Sequence, residues 1–198
     1  MAHLPNVAII ELGSQYTLLI ERTLRELGVR SVVLDPKRAA NWLKKNPLKA
    51  VILSGGASSV YDNDAPTPPT EVLTLRRGDD QPIALLGICY GMRWLAHHLG
   101  GEVKAMLGNR EYGEASISLC GTPDDFFSGT PQHQKVWMSH GDSIVSLPQG
   151  FEVLAYSNTY TIAAMQNGST WGVQFHPEVT HTLHGKAMLT NFLQFAGC

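Results

Sequence analysis

Cysteine is scarce in this chain: Cys89, Cys120 and Cys198 are its three, and none stands close to another. With no C-x-x-C pair, the spacing that builds structural zinc sites is missing, and three isolated thiols make no disulfide framework. Charge is sparse as well, at 16% of residues, with a slightly acidic balance of −2. The basic residues, among them Arg22, Arg25, Arg30, Lys37 and Arg38, are scattered, and Lys44-Lys45 reads as a solvated helix face. Without a clustered basic face, the composition argues against nucleic acid or an anionic membrane as the main partner. No apolar run reaches membrane-spanning length. The opening Met-Ala-His-Leu-Pro has neither the charged region nor the apolar stretch of a secretory signal. The expected compartment is the reducing cytoplasm, where a thiol stays available for chemistry.

What is present is alternation. "VAIIEL" (7–12) reads as a buried strand, and "SQYTLLIERTLRELG" as a helix with Ser14 at its N-cap and Gly28 at its stop. "RSVVLD" is a second strand, "RAANWLKKN" a short helix and "KAVILS" a third strand that ends at Gly55-Gly56. A loop of Pro, Asp, Asn and Ser runs from Ala57 to about Pro69, and "PIALLGI" is a fourth strand. Uniformly apolar strands alternating with helices predict a parallel sheet covered on both faces. From Gly113 to Phe175 the segments turn short and β-like, from "EASISLC" to "TWGVQF", and predict antiparallel or mixed sheet. "GKAMLTNFLQFAG" closes the chain as a helix. No repeat, linker or low-complexity tract interrupts residues 1–198, which read as one domain.

The fourth strand runs into Gly87-Ile88-Cys89-Tyr90-Gly91, a G-x-C-x-G sequence followed by an amphipathic stretch with Met92, Trp94, Leu95 and Leu99. A sharp strand-to-helix turn strains its central residue, and small flanking residues let neighbouring segments approach. The thiol is then presented at a helix N-terminus, which favours the thiolate, while the amide of Tyr90 points towards a developing oxyanion. A small buried cysteine is the alternative reading. A nucleophilic thiol needs a base, and most histidines offer little: His3 is terminal, His97 and His98 lie on a helix surface, and His133 and His184 sit in polar segments. His176 differs, because it ends an apolar strand and Pro177 fixes the backbone between it and Glu178. A carboxylate on one imidazole nitrogen sets the tautomer and leaves the other nitrogen for sulfur.

Cys89 in "GICYGM", "SHGD" (139–142) and "FHPEVTHT" (175–182) together resemble the class I, or triad, glutamine amidotransferases. The resemblance runs nearly end to end, from "IIELGSQYT" through "ILSGGASSVYD" to "LTNFL". The forms "CYGM", "WMSHGD" and "HPEVTHT" are similar to those in the glutaminase parts of GMP synthetases. The implied fold is three-layer α/β and flavodoxin-like. Its central sheet is mostly parallel or mixed, with helices on both faces, and a smaller antiparallel sheet accompanies it. The implied catalytic set is Cys89, His176 and Glu178, with an oxyanion hole at Gly56 and Tyr90. Glutamine is expected on Gly55, Gly56, Arg93, Ser139, His140 and Gly141, while Asp142, His181 and Thr182 are candidates for a partner interface. No cofactor or metal is expected for this domain. ATP and Mg belong to a synthetase partner, an ATP pyrophosphatase domain or subunit that converts xanthosine monophosphate to GMP with the released ammonia. "FAGC" falls about where two-domain relatives pass into that second domain, which favours an excised domain over a free subunit.

Competing readings are a cysteine peptidase or hydrolase of the same broad fold, and a glutamine-binding module of weak activity. The "SHGD" segment and the His-Pro-Glu-Val-Thr-His-Thr spacing weigh against the first, and the intact Cys89, His176 and Glu178 set against the second. One position departs from the family: the residue four after the nucleophile is usually Gln and here is Arg93. An amide both donates and accepts, whereas a guanidinium only donates. The expectation is weaker glutamine binding through repulsion of the substrate ammonium; a firmer grip on its carboxylate and a swing to solvent are the alternatives. "SGGASS" (54–59) has Ser58 where an ATP-pyrophosphatase loop carries Asp, and matches the amidotransferase Gly-Gly loop instead. Cys120 and Cys198 are expected to be inert.

Overall fold

The computed structural model describes residues 5–106, 111–122 and 125–198; His3 lies outside them. Nine strands form one sheet. Its first half is β1 (Val7–Ile10), β2 (Ser31–Leu34), β3 (Ala50–Leu53) and β4 (Ala84–Ile88). Between β4 and the later strands the chain forms β5 (Glu102–Ala105). Then come β6 (Glu111–Leu119), β7 (His133–His140), β8 (Asp142–Ser146), β9 (Glu152–Ser157), β10 (Ile162–Asn167) and β11 (Thr170–Val173). The sheet order is β2-β1-β3-β4-β11-β10-β9-β6-β7, with β5 and β8 paired separately. Pairing is parallel from β2 to β11 and antiparallel from β11 to β7. The expected small antiparallel sheet is therefore the β5–β8 pair, while most of the antiparallel strands extend the main sheet.

The three layers follow from the period-2 alternation of the strands. Val7 and Ile9 of β1 face a core completed by Ile20 and Leu24 of α1 (Thr17–Glu26) and by Met188 and Phe192 of α4 (Gly185–Phe195). Ala8 and Ile10 face the opposite core, with Ala39 and Leu43 of α2 (Pro36–Leu43) and Met92 and Leu95 of α3 (Tyr90–His98). Truncating Leu24 or Phe192 to alanine is worth roughly 3–5 kcal/mol of stability, since both side chains are fully enclosed.

Local chemistry sets the helix starts. Asp35 caps α2 by accepting from the amides of Lys37 (3.0 Å) and Arg38 (3.1 Å), and Pro36 opens the first turn. Helix α1 corrects an expectation: Tyr16, not Ser14, occupies its N-cap, and the Ser14 hydroxyl instead accepts from the Tyr16 amide at 3.0 Å within the preceding turn. Strand β5 has no alternating signature, because Val103 is its one buried residue; its pairing with β8 makes it a strand. Among the described residues, no helix is long and apolar enough to cross a membrane.

Candidate active site

Parallel strands end on the same edge, and this edge collects the residues of interest. Cys89 follows β4, and its amide donates to the carbonyl of Val173, the last residue of β11, at 2.7 Å. His176 lies three residues beyond that point, so the β4–β11 pairing brings the thiol and the imidazole together from distant parts of the chain. Gly55, after β3, fits between them: a Cβ there would stand 2.9 Å from Cε1 of His176 and 3.4 Å from Cβ of Cys89.

The turn itself is strained. Cys89 has φ 52° and ψ −106°, a left-handed backbone that costs a non-glycine residue about 1–3 kcal/mol. Its flanking glycines are required by close approach. A Cβ at Gly87 would meet the backbone of Gly91 at 2.7 Å, and one at Gly91 would meet the Leu53 carbonyl at 2.5 Å. Helix α3 thus packs directly on β4 and β3, and Tyr90 through Ala96 are all buried.

His176 and Glu178 are buried and joined, Nδ1 to Oε1, at 2.8 Å. The second carboxylate oxygen, Oε2, is buried with no hydrogen-bond partner among the described residues. Burial pushes the Cys89 thiol up. The hydrogen bond and charge of His176, and then the charges of Arg93 and His140, more than reverse this and bring it down to about 7. For His176, burial acts downward, but hydrogen bonds to Cys89 and Glu178 and the charges of both lift it to about 10. Near neutrality the pair therefore favours thiolate beside imidazolium. Side-chain cations thus lower the thiol where it caps the N-terminus of α3. The Tyr16 ring stands edge-on to His176, with centroids 5.0 Å apart.

The other expected residues surround this centre. Gly56 and Tyr90 are neighbours beside Cys89, since a Cβ on Gly56 would lie 3.5 Å from Cβ of Tyr90. The Ser139 carbonyl is 3.6 Å from Sγ. A cleft of about 170 Å³ opens onto Cys89 and His176, and an adjoining one of about 310 Å³ is lined by Arg93, Ser139, His140, Gly141 and Asp142. Arg93 does not swing to solvent. Its side chain is only 4% exposed; Nη1 lies 3.3 Å from Oδ2 of Asp142, and Nη2 donates to the Gly56 carbonyl at 3.4 Å. Asp142 is therefore tied to Arg93 beside the cleft. Thr182 lies inside the fold, and its hydroxyl donates to the His176 carbonyl at 2.6 Å while accepting from the Trp137 amide at 3.0 Å. His181 stays exposed, its ring 4.5 Å from that of Trp137.

Comparison with known proteins assigns the family. The family "Glutamine amidotransferase class-I" matches residues 8–195. The chain belongs to the class I glutamine amidotransferase family. It is 42% identical over 189 residues to the "GMP synthase [glutamine-hydrolyzing]" of Aquifex aeolicus, covering 94% of this chain and 36% of that protein. The Bacillus subtilis protein of the same name is 43% identical, with 94% and 35% covered. The chain thus spans about a third of the length of these relatives. Among solved structures, a candidate GMP synthase subunit from Thermoplasma acidophilum superposes with a TM-score of 0.83 at 28% identity, covering 100% of this chain and 96% of that one. A glutamine amidotransferase of Thermotoga maritima gives 0.76 at 22% identity, with 98% of both chains covered, and supports the fold.

Two features of this class I amidotransferase have no counterpart in the sequence reading. Ser14, Gln15 and Tyr16, in the loop after β1, line the cleft at Cys89. The signal available was their place after a parallel strand, where ligands of such sheets bind. The second feature is a further histidine–carboxylate pair. Glu111 and His140 face each other across β6 and β7, with Nε2 2.9 Å from Oε2, and Nδ1 faces the Asp142 carbonyl at 2.9 Å. Thr159 donates to the other Glu111 oxygen at 2.6 Å.

Proposed function

We propose that the chain is the glutaminase of a GMP-forming system, hydrolysing L-glutamine to glutamate and ammonia. The observation that carries this reading is the pairing of β4 with β11, which sets Cys89 beside a His176 already held by Glu178. The Cys89 thiolate attacks the side-chain amide carbon, forming a C–S bond, and the amides of Gly56 and Tyr90 receive the oxyanion. Collapse breaks the C–N bond as His176 protonates the leaving nitrogen, releasing ammonia and leaving a γ-glutamyl thioester. Water then attacks the thioester and gives a proton to His176; breaking the C–S bond returns the thiolate and yields glutamate. Glu178 holds the imidazole in the tautomer both steps require. Ser139, His140 and Gly141 border the cavity expected to take the amino-acid end of the substrate.

The names and greater length of the Aquifex aeolicus and Bacillus subtilis relatives support a synthetase partner. That unit would use ATP and Mg to aminate xanthosine monophosphate. Glutamate release, assayed with and without a matching synthetase unit, ATP and xanthosine monophosphate, tests both parts. Slow release alone and faster release with the complete set is the expected result. No release in either case removes the glutaminase reading; an unchanged rate removes the coupling.

A further inference from the structure

Cys89 is the N-cap of α3, and Arg93 stands one turn later. Side chains on a helix lean towards its N-terminus, so a residue at this spacing reaches back over the cap. Arg93 does so: Nη2 lies 4.0 Å from Sγ of Cys89, on buried ground. The guanidinium is fixed by Asp142 from the start of β8 and by the Gly56 carbonyl after β3, and Nε is buried without a partner among the described residues. Both outer nitrogens of the guanidinium are thus engaged.

We propose that Arg93 is a second, permanent cation for the nucleophile, holding Cys89 as thiolate independently of His176. The basis is electrostatic. A buried thiolate loses its hydration and needs nearby positive charge, and an imidazolium supplies that charge only while it keeps its proton. In the reaction proposed above, His176 surrenders that proton to the departing ammonia. A guanidinium cannot do so, because it stays charged throughout the accessible pH range. When the thioester breaks and sulfur leaves as an anion, Arg93 is charged whatever the state of the imidazole. Asp142 both orients the cation and partly offsets it. Among the described residues, the charged and titratable groups around the thiol are then His176 from the segment after β11, Arg93 from α3, His140 from β7 and Tyr16 from the loop after β1. Glu178 stands behind the first, Asp142 behind the second and Glu111 behind the third.

The test is the pH dependence of Cys89 alkylation by iodoacetamide on the intact chain, read peptide by peptide so that Cys120 and Cys198 do not contribute. It needs no glutamine, so it stands or falls apart from the glutaminase reading. Arg93→Gln is expected to move the midpoint upward and slow alkylation at about pH 6 roughly tenfold, with Arg93→Lys recovering most of the loss. Asp142→Asn is expected to act oppositely, holding or raising the rate at about pH 6 by a few-fold, because the cation is no longer offset. Packing alone would not make one partner of an ion pair slow the thiol and the other speed it. An Arg93→Gln profile that overlays the parent overturns the proposal. So does an Asp142→Asn profile displaced upward, a result that remains readable should Arg93→Gln fold poorly.

Discussion

Two buried histidine–carboxylate pairs stand near Cys89, and by contact distance they are nearly identical: 2.8 Å for His176–Glu178 and 2.9 Å for His140–Glu111. Their connections differ. His176 spends Nδ1 on its carboxylate and turns the rest of its ring towards Cys89, whereas His140 has both nitrogens committed, one to Glu111 and one to the Asp142 carbonyl. A ring with both nitrogens occupied at hydrogen-bonding distance leaves neither free to reach a thiol. One pair can therefore move a proton, while the other holds the 139–142 loop against β6. A histidine beside a carboxylate becomes a proton carrier only where one of its nitrogens is left over.

Paired substitutions separate the two histidines. The largest effect belongs to the thiol's own partner: His176→Ala should lower kcat for glutamine hydrolysis by at least about 10³-fold, and equal losses for His140→Ala would erase the distinction. Next is the carboxylate, where Glu178→Gln should cost on the order of 10²-fold in kcat by supporting the wrong tautomer. Glu111→Gln should act mainly on folding and on substrate affinity, lowering stability by about 1–3 kcal/mol in thermal melts and raising KM more than it lowers kcat. The pH profile sharpens the contrast. With Cys89 held near 7 and His176 near 10, kcat/KM should rise as pH climbs through about 7 and fall again as it approaches about 10. A rise that comes only above about pH 8 would show that the thiol is not held down. The smallest effect is expected in glutamine KM for Arg93→Gln, a few-fold in either direction; an unchanged KM would remove this position from substrate binding.

The sequence is informative wherever one segment decides the outcome. The alternating apolar strands and helices of the first half appear as the parallel sheet with two helical layers. The glycines around Cys89 are explained by backbone contacts that leave no room for a Cβ. His176 and Glu178 are two residues apart, so their pairing is legible locally. Glu111 and His140 are not: only the register of β6 on β7 makes them partners, and a glutamate opening a strand resembles a surface acid until that register is known. Arg93 is legible as a departure at a recognisable spacing, yet its direction depends on Asp142, supplied by a strand far along the chain. The inward contact of Thr182 depends on the fold in the same way. In the sequence it sits beside an exposed histidine, but in the fold its hydroxyl turns inward to the His176 carbonyl.

Trapping with a glutamine-like chloroketone, followed by peptide mass analysis, asks whether β4 and β11 deliver one reactive thiol to one imidazole. The expected result is a single adduct on Cys89, blocked by excess glutamine and lost in His176→Ala. An adduct on Cys120 or Cys198, whose thiols burial pushes up, or unchanged labelling of Cys89 without the imidazole, would contradict it.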